Sequence, residues 1–155
     1  MPKIQNSITK LGKEKLEEQI VALKEELRLT YIKRREAAEE GDLKENSAYI
    51  YAGEKANMLN TQIEEILTDL HHSIVQGKPT QTIIIEFGHK VTLLYLEDER
   101  TMTITLVGKN DARLTPGWVS VESPLGVALS GKRLNEEVEV NGQIIRVTAI
   151  EIGEI

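Results

Sequence analysis

Gly41-Asp42-Leu43-Lys44-Glu45 stands between two runs of residues spaced alternately by four and three. The first run is Leu16, Ile20, Leu23, Leu27, Thr30, Arg34 and Ala37. The second is Tyr49, Ala52, Ala56, Leu59, Ile63, Ile66 and Leu70. This spacing marks the apolar seam of a coiled coil. Folding the chain about residue 43 sets Leu16 opposite Leu70, Leu27 opposite Leu59 and Ala37 opposite Tyr49. A single unbroken helix could also carry two such runs, but the intervening stretch argues for a turn. Gly41 suits the left-handed position that ends a helix. Asp42-Leu43-Lys44-Glu45 has the form of a capping box that opens another. The expectation is an antiparallel helical hairpin with arms roughly 40 Å long at 1.5 Å per residue. Its seam tapers towards the tip, where Ala37, Ala52 and Ala56 replace leucine and isoleucine.

Outward from the hairpin, Gly77-Lys78-Pro79 reads as a connector, and period-two alternation begins beyond it. Thr82–Phe87, Lys90–Leu96, Thr101–Val107 and Val119–Glu122 are predicted strands. Glu137–Val140 and Gln143–Ile150 form a predicted hairpin across Asn141-Gly142. Ser123-Pro124, followed by Leu125–Leu129 and Gly131, predicts a short helix with Ser as N-cap and Pro in its first turn. The expected fold class is α+β: a helical hairpin over residues 1–76 with an acidic tip at 41–45, then an antiparallel sheet domain with one short helix over residues 80–155. Charge does not separate the parts. Residues 1–75 hold 11 Lys+Arg against 14 Asp+Glu, and residues 76–155 hold 8 against 11.

Composition narrows the function classes. The 155 residues are 40% apolar, enough for a core, but only 4% aromatic. Cysteine is absent, which excludes disulfides, thiolate metal sites and cysteine nucleophiles, and fits a reducing, cytoplasmic setting. No apolar run reaches the ~18 residues of a membrane span, and residues 1–15 lack the apolar core of a signal peptide. A formal net charge of −6 rules out non-specific coating of nucleic acid, so any such contact is local or made through a partner.

Polar residues gather at the tip without a packing reason. Glu39, Glu40, Asp42 and Glu45 place four carboxylates within seven residues. Asp42 and Glu45 could together hold one hard cation such as Mg²⁺, weakly and with water or a partner completing its shell. They could equally satisfy helix-end amides, as Asp at an N-cap and Glu three residues on do. Lys33, Arg34 and Arg35, with Lys44 and Lys55 nearby, could meet a phosphate backbone or form a solvated helical face. Arg34 is the odd member, since it occupies a seam position where charge weakens packing. His71 and His72 point about 100° apart on a helix and do not share an ion, and His89 stands alone on a predicted turn. No phosphate-binding loop, dinucleotide fingerprint or nucleophile–base pair is present.

Gly41-Asp42-Leu43-Lys44-Glu45-Asn46, followed by Tyr49, resembles the tip motif of the bacterial Gre transcript-cleavage factors. Ser120-Val121-Glu122-Ser123-Pro124-Leu125-Gly126, with Ala128-Leu129 and Gly131-Lys132, is similar to the signature of their C-terminal domain, and Lys15-Leu16-Glu17-Glu18 to their opening. The resemblance covers the whole chain. It implies a coiled-coil domain followed by an FKBP-like domain, working as a transcription elongation factor on bacterial RNA polymerase. The C-terminal domain docks through Ser123, Pro124, Leu125, Gly126, Val127, Gly131 and Lys132, and the hairpin enters the secondary channel. Asp42 and Glu45 then correspond to the catalytic acids that share a Mg²⁺ with the polymerase, with no metal held tightly by the factor alone. The 3′ end of the nascent RNA is cut by the polymerase itself near Lys33, Arg34, Arg35, Lys44 and Lys55. A monomeric, non-enzymatic accessory protein is expected. The chain departs from the family pattern at Ala48, Gly53, Ala56, Gln62 and Val127, the last two replacing usual arginines. A Gre-like regulator that enters the channel without efficient cleavage is the main alternative. A prolyl isomerase or chaperone is a third, suggested only by the FKBP-like domain, and against it the few aromatics of that half, chiefly Tyr95 and Trp118, do not assemble an aromatic-lined proline pocket.

Overall fold

The structure, a computed structural model, describes residues 6–41 and 46–155. In chain order its elements are β1 (Asn6–Ile8), α1 (Lys10–Glu39), α2 (Ser47–His71), β2 (Ser73–Val75), β3 (His89–Tyr95), β4 (Arg100–Val107), β5 (Trp118–Ser120), α3 (Pro124–Leu129), β6 (Glu137–Val140) and β7 (Gln143–Ile152). The fold is α+β. It divides into two compact units: Glu14–His72, and Ser73–Ile155 together with the segment up to Lys13.

The helical unit follows the heptad register. Leu16, Ile20, Ala37, Ala52, Ala56, Leu59 and Ile63 are buried, and Leu23, Leu27, Tyr49, Ile66 and Leu70 are half-buried. Flanking polar contacts cross between the helices in the same register. Lys55 pairs with Glu26 at 3.1 Å, and Asn60 Nδ2 donates to Tyr31 Oη at 3.1 Å. Thr30, a polar seam residue, buries its hydroxyl by donating to the Glu26 carbonyl at 2.8 Å.

The helix ends on either side of residues 42–45 differ from the expectation. The N-cap of α2 is Asn46, whose Oδ1 accepts from Tyr49 N at 3.1 Å. The capping box expected at Asp42 and Glu45 lies outside the described residues. Gly41 does not take the left-handed conformation. The Ala37 carbonyl at the end of α1 is satisfied instead by Glu40 N at 3.2 Å and by Asn46 Nδ2, so α1 needs no glycine reversal.

The larger sheet runs in the order β5-β4-β3-β7-β6. It is mixed and not wholly antiparallel, because β5 lies parallel to β4, with Thr105 opposite Trp118. Val91, Leu93, Tyr95, Ile104, Leu106, Ile145 and Val147 form its core together with Leu129 of α3. The β6–β7 turn has positive φ at both Asn141 and Gly142, 52° and 79°, the two-residue reversal that Asn-Gly favours.

Residues 82–87, predicted as a strand, form an irregular segment. Gln81 takes over the amides a neighbouring strand would have paired: its Oε1 accepts from Ile83 N at 2.6 Å and Ile84 N at 2.9 Å. Only Ile85 of the three isoleucines is fully buried. His89 is buried as well, its Nδ1 accepting from Glu86 N at 2.9 Å and its Nε2 facing the Gln81 carbonyl. It is a packing residue.

The division of the chain differs at both ends from a 1–76 hairpin domain. β1 and β2 form a parallel pair with Asn6 opposite Ser73 and Ile8 opposite Val75. Thr9 caps α1 by accepting from Gly12 N at 2.9 Å. Its own N–H and hydroxyl donate to buried Asp111, the hydroxyl at 2.7 Å. Asp111 also accepts from Gly108 N at 2.9 Å. A carboxylate so surrounded by donors is compensated for its burial, and it ties the chain before α1 to the sheet.

Candidate functional site

Two regions carry the residues singled out from sequence. Asp42, Lys44 and Glu45 lie outside the described residues, and their flanks are built as follows. Asn46 joins the last turn of α1 to the first turn of α2 through Ala37 O and Tyr49 N. One turn lower, Arg34 stacks on the Tyr49 ring, its guanidinium carbon 4.7 Å from the ring centre. Its Nη2 donates to Tyr49 Oη at 3.0 Å. Arg34 Nε is enclosed, with no hydrogen-bond partner among the described residues. The seam arginine is therefore a packing group beside Gly53, and its cation is partly withdrawn from solvent.

Lys33 and Arg35 are exposed. Lys33 and Lys55 come together across the two helices, lining a cleft of about 180 Å³ with Thr30, Ala48, Tyr51 and Ala52. Lys55 also pairs with Glu26. Of the predicted basic group, then, Lys33 and Lys55 share one opening, Arg34 faces Tyr49, and Arg35 is not part of the cleft lining. Among the described residues no cluster of three or more His, Asp or Glu side chains suits a metal ion. His71 and His72 meet edge to face, 5.2 Å apart.

In the sheet unit, the Ser123–Lys132 segment holds itself in shape. Ser123 Oγ accepts from Gly126 N at 3.0 Å and donates to Ser120 O at 2.6 Å. Pro124 opens α3. Gly126 leaves no room for a side chain, since a Cβ there would lie 2.1 Å from Ser120 O. Gly131 has φ +82° and donates to Ile85 O, while Ile85 N donates to Lys132 O, both at 2.9 Å. Ser123, Gly126 and Gly131 thus have structural work, whereas Val127 is 65% exposed. A cavity of about 290 Å³ runs beside Pro124 and Leu125, with Tyr95, Val119 and Ile145 in its walls. Trp118 does not line it.

Sequence reasoning passed over Asn46, although Asn directly before a helix is a strong cap signal. It also passed over Thr9 and Asp111, whose contact spans 102 positions and leaves no local signal.

A seam-packed helical hairpin and a mixed-sheet domain in one chain define a two-part α+β class. Residues 6–75 match the profile described as transcription elongation factor, N-terminal, and residues 80–155 match that described as transcription elongation factor GreA/GreB, C-terminal. A protein of Nautilia profundicola named transcription elongation factor GreA is 36% identical over 136 residues, covering 86% of this chain and 84% of its own. One of the same name from Oceanobacillus iheyensis is 32% identical over 150 residues, covering 93% and 95%. Among solved structures, GreA factor homolog 1 of Thermus thermophilus aligns over 94% of this chain and 97% of its own, with 23% identity and a TM-score of 0.43. The chain belongs to the GreA/GreB family of transcription elongation factors. No helix among the described residues is long and apolar enough to cross a membrane.

Proposed function

We propose that the protein stimulates the cleavage of backtracked RNA by bacterial RNA polymerase, with Asp42 and Glu45 as the acids it contributes. The observation that carries this reading is the hairpin. A seam-packed pair of helices, with α1 30 residues long, flanks the acid-bearing sequence Asp42–Glu45 in a chain of an elongation-factor family. At 1.5 Å per residue α1 is about 45 Å long, a reach suited to a buried catalytic centre. Two carboxylates are hard oxygen donors of the kind Mg²⁺ takes, but too few to hold it alone. This is why the protein is read as an accessory factor that needs the polymerase's own ligands. When bound between the two proteins, Mg²⁺ would activate the attacking water and neutralise charge on the leaving oxygen. Asp42 and Glu45 would hold their carboxylates towards that position. Lys33, Lys55, Arg35 and Lys44 would offer charge to the RNA backbone near its 3′ end. Ser123–Lys132 would meet the polymerase, with Pro124, Val127 and Ser130 among its exposed side chains.

The packing of Arg34 on Tyr49 favours one second reading. It removes a cation from the basic group, in a chain that already has Gly53 where the family commonly has a basic residue. A channel-binding regulator with weak cleavage would fit that loss.

Stalled elongation complexes test both readings. Because Asn46 caps α2, Asp42→Asn and Glu45→Gln leave the helix cap intact. Each is expected to keep fold and polymerase affinity and to lower stimulated cleavage by about two decades or more, since each ~1.4 kcal/mol of lost stabilisation is tenfold. Full activity in the double variant would defeat the cleavage reading. A parent that competes with an active Gre factor for polymerase yet stimulates no cleavage would establish the second.

A further inference from the structure

We infer that the cleft between Lys33 and Lys55 is a site for one unpaired nucleotide of RNA, with Tyr51 as the ring on which its base stacks. This deepens the reading above, which gave Lys33 and Lys55 a charge for the RNA backbone and left Tyr51 without a role. The helical unit holds Tyr31, Tyr49 and Tyr51, and the first two have partners. Tyr49 lies under Arg34 and accepts from its Nη2. Tyr31 Oη accepts from Asn60 Nδ2 at 3.1 Å. Tyr51 is 67% exposed. Among the described residues its hydroxyl has no hydrogen-bond partner and its ring carries no cation. Packing does not account for it.

The surroundings of Tyr51 fit a nucleotide. Lys55 follows it by one helical turn, and Lys33 reaches the same cleft from α1. Among the described residues Lys33 has no partner, and Lys55 has its pair with Glu26 at 3.1 Å, the Glu26 side chain half open to water. Such a pair is weak and yields to a phosphate. Ala48 and Ala52 add neither bulk nor charge to the lining. Thr30 lies on the seam side, its hydroxyl already donating to Glu26 O. The cleft, about 180 Å³, is smaller than pockets that enclose whole small molecules. It suits one base, with its flanking phosphates at the two lysines. An aromatic ring beside ammonium groups is how proteins hold single strands without reading their sequence: every base has a face to stack, and the cations meet the backbone. Stacking, not edge recognition, then sets the preference, because Thr30 is committed and Ala48 and Ala52 are apolar. It is a modest preference for purines, whose larger faces stack more strongly.

The test measures binding of fluorescently labelled short oligoadenylate and oligouridylate to the full-length protein without polymerase, over a range of salt, with AMP as competitor. The variants are Tyr51→Phe, Tyr51→Leu, Tyr51→Gln and Lys33→Gln, and melting temperatures check their folds. Tyr51→Phe keeps the ring and should bind like the parent. Tyr51→Leu and Tyr51→Gln should lose about fivefold to a hundredfold in affinity, the range of aromatic–base stacking, and with it the preference for oligoadenylate. If one of the two fails to fold, the other decides. Two phosphate contacts predict a slope of about −1.4 in log affinity against log salt, falling to about −0.7 in Lys33→Gln. Binding that loss of the ring leaves unchanged, or no binding at low salt, overturns the inference. AMP that competes as well as the strand assigns the cleft to a free nucleotide and overturns the RNA assignment. The cleavage reading stands or falls separately, on Asp42-dependent cleavage in stalled complexes.

Discussion

Gly12 and Gly53 are both helical glycines, yet their surroundings give them opposite consequences. A Cβ on Gly12 would lie 1.8 Å from Asp111 Oδ1 and 2.9 Å from Ile8 Cγ1. Gly12→Ala must displace the carboxylate that Thr9 and Gly108 donate to, leaving buried donors short of a partner at about 1–3 kcal/mol. A Cβ on Gly53 would meet nothing nearer than Arg34 Nε at 3.6 Å, an ordinary contact. Glycine inside a helix is about 0.8–1.0 kcal/mol less favourable than alanine. Urea denaturation should show Gly53→Ala more stable than the parent by about 0.5–1 kcal/mol, and Gly12→Ala less stable. A destabilised Gly53→Ala would mean that Arg34 cannot keep its seat on Tyr49 beside a methyl group.

At the scale of elements, the hairpin register is fixed by contacts on and beside the seam. Glu26 reaches Lys55, Tyr31 reaches Asn60, and Arg34 reaches Tyr49. All three agree with a fold-back near residue 43. A short bis-maleimide should therefore bridge cysteines placed at Leu27 and Leu59 within one chain, while a pair at Leu27 and Leu70 should stay unlinked. Electrophoretic mobility after cleavage between the helices reads the outcome, and the reverse pattern would contradict the register. The irregular 82–87 segment teaches the complementary point. Its apolar run suits a strand, but Gln81 supplies the hydrogen bonds that a partner strand would supply. No partner strand is needed, and Ile83 and Ile84 remain on the surface.

For the whole molecule, the two units have separate cores. Every member of the sheet core, from Ile85 to Val147, lies in Ser73–Ile155. Surface changes on α3 should leave the hairpin's stability unaffected. Val127→Arg introduces a charge at a position 65% exposed, where the family resemblance expects arginine. It should tighten polymerase binding by about threefold to tenfold, mainly through association rate and with a salt dependence, at an unchanged melting temperature. Unaltered affinity would argue against α3 as the docking surface.

Features that repeat along the chain or sit within a few residues are legible without coordinates. Heptad spacing records which helical face is covered, so the seam from Leu16 to Leu70 was legible. Asn141-Gly142 and Ser123-Pro124 are local backbone signals and form the turn and the cap they predict. The acids at Asp42 and Glu45 stood out because charge gathered there without a packing purpose. Only the tertiary structure decided which distant groups satisfy one another. The parallel pairing of β1 with β2 and of β4 with β5, the bond from Thr9 to Asp111, and the bond from Asn46 to the Ala37 carbonyl each join residues whose own sequence neighbourhoods do not name the partner. A buried hydrogen-bonding group must find a partner, but the chain's local pattern states only that need, and three-dimensional packing chooses who meets it.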